Sequence, residues 1–406
     1  MGASVAVVGG GILGSLSALL LSQRGFDVTL FDDHDSLLSG ASSSGEGKIH
    51  LGLIYPLGDT QTRRHMLEGA LSFSKIVNQA TGVDTDWTTM SSTSFLNLVM
   101  PDSLMTVDEV IESYREHDHQ FQALKADLGD EYLGKSLSNL FAPDVISNEA
   151  TGLPGLLTEE RAVDPTLLSA LISDAVVRSP RVRLMMRSRV TSIEDNPDGV
   201  EVSWSQTEES PQHTTSQKFH LAINASWESQ MEFVSQRHRH VRNLRYKAMV
   251  RIPLDAIDSG RCHTATMTVG PFGDVVVLPT HVYLSWYPVA RLAQEESLVP
   301  SEKMHENIAA QLAHGDLVVR QVAHLSSLKL IPDMKDIDLD RAVLGGGFVV
   351  GEGKFDIERR ESGLHSRPPR GVIRDGRVYT PLNYKLTTAP LSAKSLVDEI
   401  TRDVNP

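Results

Sequence analysis

Cysteine is almost absent: Cys262 is the only one in 406 residues. An intrachain disulfide is therefore impossible, and so is a cysteine-rich zinc or iron–sulfur site. No cysteine pair exists to pass electrons onward. No apolar run approaches the ~18 residues needed to cross a bilayer. Positive charge is in deficit, with 38 Lys and Arg against 52 Asp and Glu, a formal balance of −14. A chain of that sign is not built mainly to hold a nucleic-acid backbone. Residues 12–21 are apolar like the core of a signal peptide, but no Lys or Arg precedes them. Met1-Gly2 opens like a myristoylation signal, but Ala6 stands where Ser or Thr is needed. These absences predict a cytoplasmic protein whose first strand begins almost at once. Repeats and low-complexity linkers are also missing, which predicts two domains interleaved in sequence.

Residues 4–8 form a β-branched run, followed by a glycine cluster. An apolar stretch at helical spacing over 13–24 closes at Gly25, and a second strand over 28–31 ends on Asp32 and Asp33. Strand, glycine turn, helix and strand within about thirty residues predict a right-handed βαβ unit. A Ser/Gly/Ala loop over 39–47 and helices over 64–80 and 107–128 follow. Asp164-Pro165 caps a helix over 166–178. Strands are expected over 183–194 and 200–204, joined at Asn196-Pro197-Asp198-Gly199. Residues 206–217 read as an exposed polar hairpin or loop, and 219–224 as another strand. Strand-like segments at 248–252, 275–278 and 282–286 precede a helix over 304–317. A strand at 378–381 and a helix at 389–401 end the chain.

Gly9, Gly11 and Gly14 fit G-x-G-x-x-G, with Ile12 and Leu13 at the helix start. The first glycine permits a tight turn, the second lets backbone approach a pyrophosphate, and the third allows close helix–strand packing. The helix N-terminus offers free N–H groups and a positive dipole to phosphates. Asp32, at the end of the second strand, suits ribose hydroxyls and disfavours a 2′-phosphate. The motif points to a dinucleotide and leaves FAD and NAD both open.

Val5-Ala6-Val7-Val8-Gly9-Gly10-Gly11-Ile12-Leu13-Gly14 resembles the opening of the FAD-dependent oxidoreductase superfamily typified by D-amino acid oxidase, sarcosine oxidase and glycerol-3-phosphate dehydrogenase. Ser42-Ser43-Ser44-Gly45-Glu46-Gly47-Lys48-Ile49-His50-Leu51-Gly52-Leu53-Ile54-Tyr55 is similar to its second flavin-contacting loop. The likeness there is to the glycerol-3-phosphate and L-2-hydroxyglutarate dehydrogenase branches. Residues 158–165, a helix, two strands and Ala222-Ile223-Asn224-Ala225 follow the family's order, and Arg189-Val190 falls where backbone meets adenine. Asn383-Tyr384-Lys385-Leu386-Thr387-Thr388-Ala389-Pro390 resembles the C-terminal flavin loop, with Asn383-Tyr384 where glycine is commoner.

The resemblance implies FAD, held by Gly9, Gly11, Ile12, Leu13, Gly14, Asp32, Ser42, Ser43, Ser44, Lys48, His50, Val190, Ala225, Lys385, Leu386 and Thr387. It implies an α/β fold (α+β overall): a Rossmann-like FAD domain from residues 1–85, 151–226 and 341–406, with an inserted mixed-sheet substrate domain from 86–150 and 227–340. The expected reaction takes a hydride from a small CH–OH or CH–NH substrate, such as a 2-hydroxy acid, an amino acid or a related amine. The electron acceptor (oxygen, a quinone or a protein) stays open. An NAD-dependent dehydrogenase and a non-catalytic flavin-binding protein are the alternatives.

Reduced flavin carries negative charge near N1/O2, which a helix start at 386–390 beside Lys385 would stabilise. An alcohol substrate needs a base, and His50 in the predicted flavin loop is the candidate; flavin contact or covalent attachment are its other roles. An anionic substrate needs a cation, and Arg367 is the first choice because its fork is bidentate. His365 is a second possible base. Trp286 and Tyr287 are candidates for a wall over the flavin, and Lys48 for a contact near N5 through water. No metal site is expected: His238 and His240 alternate, but they lie in 237–242, which reads as a solvated charged face.

Overall fold

The computed structural model describes residues 2–148, 150–207 and 214–404. Its first strand, β1 (Ser4–Val8), is followed by helix α1 (Ile12–Gln23) and strand β2 (Asp27–Phe31). β1 pairs in parallel with β2 (Val5 opposite Val28) and with the Leu221–Asn224 strand (Val5 opposite Leu221). A strand flanked by parallel neighbours is buried on both faces, so its sequence is a continuous apolar run. Val5 and Val7 pack into the cluster that holds α1, whereas Ala6 and Val8 pack on the opposite side with Phe31, Trp204 and Phe219. This six-stranded sheet is ordered Val182–Met185, β2, β1, Leu221–Asn224, Val378–Pro381, Val372–Asp375.

A short helical turn, α2 (Ala41–Ser44), interrupts the segment 39–47 expected to be only a loop, and a two-residue strand, β3 (Lys48–Ile49), follows it. β3 pairs with Arg161–Ala162. Helix α3 (Thr60–Thr81) is capped by Asp59, which accepts from Thr62 N, and ends at Gly82 with φ 70°. The Val107–Leu128 helix keeps its expected bounds and has a complete capping box, Thr106 with Glu109. Asp164 caps Pro165–Arg178 as its sequence implies.

A nine-stranded mixed sheet faces this assembly. Its long central strand, Arg242–Pro253, pairs antiparallel with His281–Trp286, Arg291–Ser297 and Val343–Gly351. One face of that strand (Leu244, Ala248, Val250, Ile252) is apolar and covered by the Glu302–Ala313 and Leu317–Ser327 helices. The alternate positions Arg245, Lys247, Met249 and Arg251 point the other way.

Several expectations change. The run 183–194 is two strands, Val182–Met185 and Ser188–Asn196, in different sheets; the chain turns between them at Arg187, whose φ is 53°. The apolar rhythm continues across that turn, so periodicity does not reveal it. The helix at 304–317 ends at Ala313, and a second begins at Leu317. Pro154–Thr158 and Val343–Gly351, placed by the sequence boundaries with the cofactor-binding pieces, are hydrogen-bonded into the nine-stranded sheet. The Val107–Leu128 helix, assigned to the substrate side, packs into the cluster around α1. The stretch 237–242 is not wholly a solvated face: Arg242 is 1% exposed and donates to the carbonyls of Trp227, Glu228 and Leu298. Of the polar stretch 206–217, residues 208–213 lie outside the described residues, while Thr215–Phe219 pairs antiparallel with Gly199–Gln206.

Candidate active site

The turn after β1 is tight because Gly9 takes φ 104°. A Cβ at Gly14 would lie 1.9 Å from the Gly9 carbonyl oxygen, so this glycine lets α1 start against the strand end. A Cβ at Gly11 would meet only the Ser42 hydroxyl, at 3.3 Å, so this backbone is open to whatever approaches it. The α1 N-terminus has no side-chain cap of its own; Ile12 N donates instead to Ser42 Oγ at 3.0 Å. Asp32 accepts from Gly10 N at 2.6 Å and from His34 N at 2.9 Å, which fixes its carboxylate beside the glycine turn.

These groups open onto one cavity of about 770 Å³. At one end lie Asp32, His34, Arg189 and Val190; in the middle are Gly11, Ile12, Leu13, Ser42 and Ala225; at the other end are Lys48, His50, Lys385 and Leu386. The cavity thus passes over a helix N-terminus and ends among cations, which suits a dinucleotide. Four of the expected contacts stand behind the wall. Ser43 and Ser44 turn their hydroxyls to the Gly40 carbonyl, and Gly14 serves packing. Thr387 accepts from His50 N at 2.8 Å and so supports the wall from outside.

The loop bearing His50 is gripped from several sides. Glu160, fully buried, accepts from Leu51 N at 2.8 Å and Leu53 N at 3.3 Å. The His117 ring donates to the Leu51 carbonyl at 2.7 Å, and the Tyr132 hydroxyl donates to the Ile49 carbonyl. Burial raises the Glu160 pKa, with Lys48 and the backbone N–H groups opposing it. Burial, then Lys385 and Lys48, hold the His50 pKa well below its ordinary value, so the imidazole is neutral at pH 7.

His50, Arg367 and Tyr287 fall in one buried layer between the two sheets. The His50 and Tyr55 rings lie 6.0 Å apart, and Lys385 Nζ lies 5.7 Å from the Tyr55 ring centroid. Arg367 is 5% exposed, not a surface residue, and has Tyr55 and Arg245 as electrostatic neighbours. Tyr287 is one step further: it accepts from Arg245 Nη1 at 3.0 Å and donates to Asp356 at 2.7 Å, and burial raises its pKa to about 12. Its hydroxyl is therefore committed, and Tyr287 positions Arg245 rather than walling the cavity. Trp286 points to the opposite face of its strand and stacks on His324 at 3.8 Å, so it is no wall either. His365 is spent on the Arg359 carbonyl at 2.7 Å. Among the described residues, the buried polar atoms of this layer without a hydrogen-bond partner include His50 Nδ1, Tyr55 Oη, Arg245 Nε, Arg367 Nε and Asp356 Oδ2. Buried polar atoms are normally satisfied, so their concentration here marks a ligand site.

Lys48 lies over the Phe95 ring at 3.8 Å and donates to Thr266, with Asp274 at 3.6 Å. Asp274 also faces Lys247 at 3.7 Å. Sequence reasoning gave no role to Arg245, Lys247, Glu160, Tyr55 or Asp274. Arg245 and Lys247 did leave a signal: cations alternating with apolar residues in one strand announce a polar face inside a sheet. Glu228 was also missed. It lines the cavity, and burial raises its pKa to about 7, helped by Asp33.

The comparisons agree with this architecture. Glycine oxidase from Geobacillus kaustophilus superposes with a TM-score of 0.60 at 16% identity, over 98% of this chain and 95% of that one. L-amino acid deaminase from Proteus vulgaris gives 0.61 at 14% identity, over 100% and 93%. Glycerol-3-phosphate dehydrogenase from Bacillus halodurans, a structure complexed with FAD, gives 0.52 at 15% identity, over 100% of this chain and 65% of that one. No helix among the described residues is long and apolar enough to cross a membrane. The family model described as "FAD dependent oxidoreductase", DAO, matches residues 4–314, which decides between the dinucleotides: the chain belongs to the DAO family of FAD-dependent oxidoreductases.

Proposed function

We propose that this enzyme oxidises a small anionic donor at a C–H bond beside a hydroxyl or amine, the donor being a 2-hydroxy acid or an amino acid. FAD, when bound, would supply the hydride acceptor. The chain's part is to bind, orient and deprotonate. Gly11, Ile12 and Leu13 would present backbone to the pyrophosphate and Val190 to adenine, and the Asp32 carboxylate would hold the ribose. Lys385 and Leu386 stand at the flavin end beside Lys48 and His50.

One observation carries the reading: a neutral, buried His50 with an unpartnered Nδ1 at the flavin end of the cavity, its ring 6.0 Å from that of Tyr55, which has Arg367 as an electrostatic neighbour. A neutral imidazole takes the hydroxyl or ammonium proton as the hydride leaves carbon, giving a C=O or C=N product. Arg367 and the Tyr55 hydroxyl supply donors for a carboxylate, which fixes the reacting carbon. Burial, with Lys385 and Lys48, keeps His50 unprotonated before the reaction, and the same cations attract the anion.

The test is anaerobic mixing of the FAD-loaded protein with 2-hydroxy acids, amino acids, N-methyl amines and polyol phosphates. At least one anionic donor should bleach the flavin, and Arg367→Met should raise its dissociation constant. Bleaching by uncharged donors alone would overturn the reading.

A further inference from the structure

We propose that Glu46 is the positioning residue behind His50: its carboxylate keeps the ring N–H on Nε2, leaves Nδ1 to take the donor's proton, and stabilises the imidazolium that results. This rests on the hydride-transfer reading above and names the residue that prepares its base.

Glu46 lies between two glycines. Gly45 ends α2, and Gly47 takes φ 72°. A Cβ at Gly47 would come 2.0 Å from the Val163 carbonyl oxygen, so the chain turns tightly against Val163 at this point. The turn leads into β3, and His50 follows directly. No helix joins Glu46 to His50, yet the turn brings the two together: Glu46 Oε1 lies 3.9 Å from His50 Nε2. Both residues line the cavity of about 770 Å³. Among the described residues, no other carboxylate stands within ion-pair distance of His50.

The backbone of His50 is fixed separately. Its N–H donates to Thr387 Oγ1 at 2.8 Å, and the next N–H, of Leu51, donates to Glu160 at 2.8 Å. The state of the ring is then set by its own neighbours. A neutral imidazole has one N–H and one lone pair, and the partner of one nitrogen decides the state of the other. A carboxylate on the Nε2 side favours the proton there. Nδ1, which has no partner, then carries the lone pair. A separation of 3.9 Å is an ion-pair distance, longer than a hydrogen bond. Catalytic contacts of this kind tighten when the substrate complex forms.

In the reaction the donor's O–H or N–H bond breaks and its proton joins Nδ1, while the C–H electron pair leaves with the hydride for the flavin. His50 then carries two N–H groups and a positive charge. Lys385 and Lys48 oppose that charge, and Glu46 is the acid that answers it. The carboxylate takes no proton. It orients and stabilises the ring, as the acid of a Ser-His-Asp triad does for its histidine. Glu46 also acts on Lys247 and Tyr283, so its effect must be shown to pass through His50.

The FAD-loaded protein is mixed anaerobically with the 2-hydroxy or 2-amino acid that reduces the wild type fastest. Wild type, Glu46→Gln, His50→Ala and the double variant are compared. Glu46→Gln keeps the size of the side chain and removes its charge. It should lower the limiting rate about 10- to 100-fold, the usual worth of a hydrogen bond to a charged group, and leave the donor's dissociation constant within about twofold. In the His50→Ala protein the same change should cost less than about twofold, because groups that act as a unit are not additive. Equal slowing in both backgrounds overturns the proposal, as does an unchanged limiting rate in Glu46→Gln. A wild-type rate in His50→Ala refutes the base and the proposal together. A slow His50→Ala beside an unaffected Glu46→Gln refutes Glu46 alone. Nitrogen NMR of histidine-labelled protein needs no turnover, and it decides the matter if no donor bleaches the flavin. With His50→Ala assigning the signal, the ring proton of His50 should sit on Nε2 and its signal should shift in Glu46→Gln. A ring proton on Nδ1, or a signal indifferent to Glu46→Gln, overturns the proposal. If Glu46→Gln does not hold FAD, Glu46→Asp, whose carboxylate is one carbon shorter in reach, replaces it in both measurements. Slowing confined to the protein that keeps His50 is again the expected result, and no slowing or equal slowing overturns it.

Discussion

Gly11 and Gly14 serve one motif for different reasons, and a single added methyl should separate them. At Gly11 the new Cβ meets only the Ser42 hydroxyl at 3.3 Å, and the backbone there has an ordinary φ of −68°. Ser42 Oγ ends a short side chain that can rotate, so Gly11→Ala should fold with stability within about 1 kcal/mol of wild type. The methyl would stand where backbone is open to the pyrophosphate. Crowding a packed contact by one carbon costs about 1–3 kcal/mol, which corresponds to roughly 5- to 150-fold weaker FAD. At Gly14 the Cβ would lie 1.9 Å from the Gly9 carbonyl oxygen and 3.1 Å from its carbon, both backbone atoms. Relief requires α1 to move off the strand end, so Gly14→Ala should lower the stability of the apoprotein itself by about 1–3 kcal/mol. The assay is a thermal melt of each flavin-stripped protein, followed by fluorescence titration with FAD. Gly11→Ala should lose affinity with an unchanged apo melt, and Gly14→Ala should lose both. Wild-type FAD affinity in Gly11→Ala would refute the pyrophosphate assignment, and an unchanged apo melt in Gly14→Ala would refute the packing assignment.

Other outcomes follow from the same geometry. His50→Ala should slow flavin reduction by a 2-hydroxy acid by roughly two to four decades, read by anaerobic stopped flow. Because the His50 pKa lies well below its ordinary value, the wild-type rate should stay level from pH 8 through pH 6.5 and fall only in more acid solution. Glu160→Gln should lower the limiting rate while FAD binding survives, because Glu160 holds the backbone just after His50 and touches no part of the cavity wall; an unchanged rate would dismiss it as a positioning residue. Glu228 has a folded pKa of about 7 against an ordinary 4.5, so the folded protein retains a proton that the unfolded chain loses between those values. Its contribution to stability is thus greatest below pH 4.5 and declines as pH rises to about 7. Glu228 also lines the FAD cavity, so FAD affinity should weaken across pH 7, and Glu228→Gln should flatten that dependence in a fluorescence titration.

The βαβ start was legible because its signals are local: a glycine whose φ must be positive, a glycine against a carbonyl, and an acid at the next strand end. Asp164-Pro165 was legible for the same reason. Features set by distant partners were not. Arg242 reads as one of a charged run, and only the carbonyls of Trp227, Glu228 and Leu298 make it a core residue. The break at Arg187 hides within a continuous strand pattern because both flanking strands are half-buried. Trp286 and Tyr287 were grouped as neighbours in sequence, whereas the strand ends at Trp286, which stacks on His324, and a helical turn begins at Tyr287, which bonds Arg245 and Asp356. The Lys48–Asp274–Lys247 group joins three strands far apart in the chain, and no spacing rule could have assembled it.

The account stands most directly on anaerobic flavin reduction by a donor deuterated at the reacting carbon, compared between wild type and His50→Asn. It predicts bleaching by an anionic 2-hydroxy or 2-amino acid, a primary isotope effect, and a loss of at least two decades of rate in His50→Asn with FAD still bound. Bleaching at the wild-type rate in His50→Asn, or no isotope effect when C–H cleavage is observed directly, would contradict it.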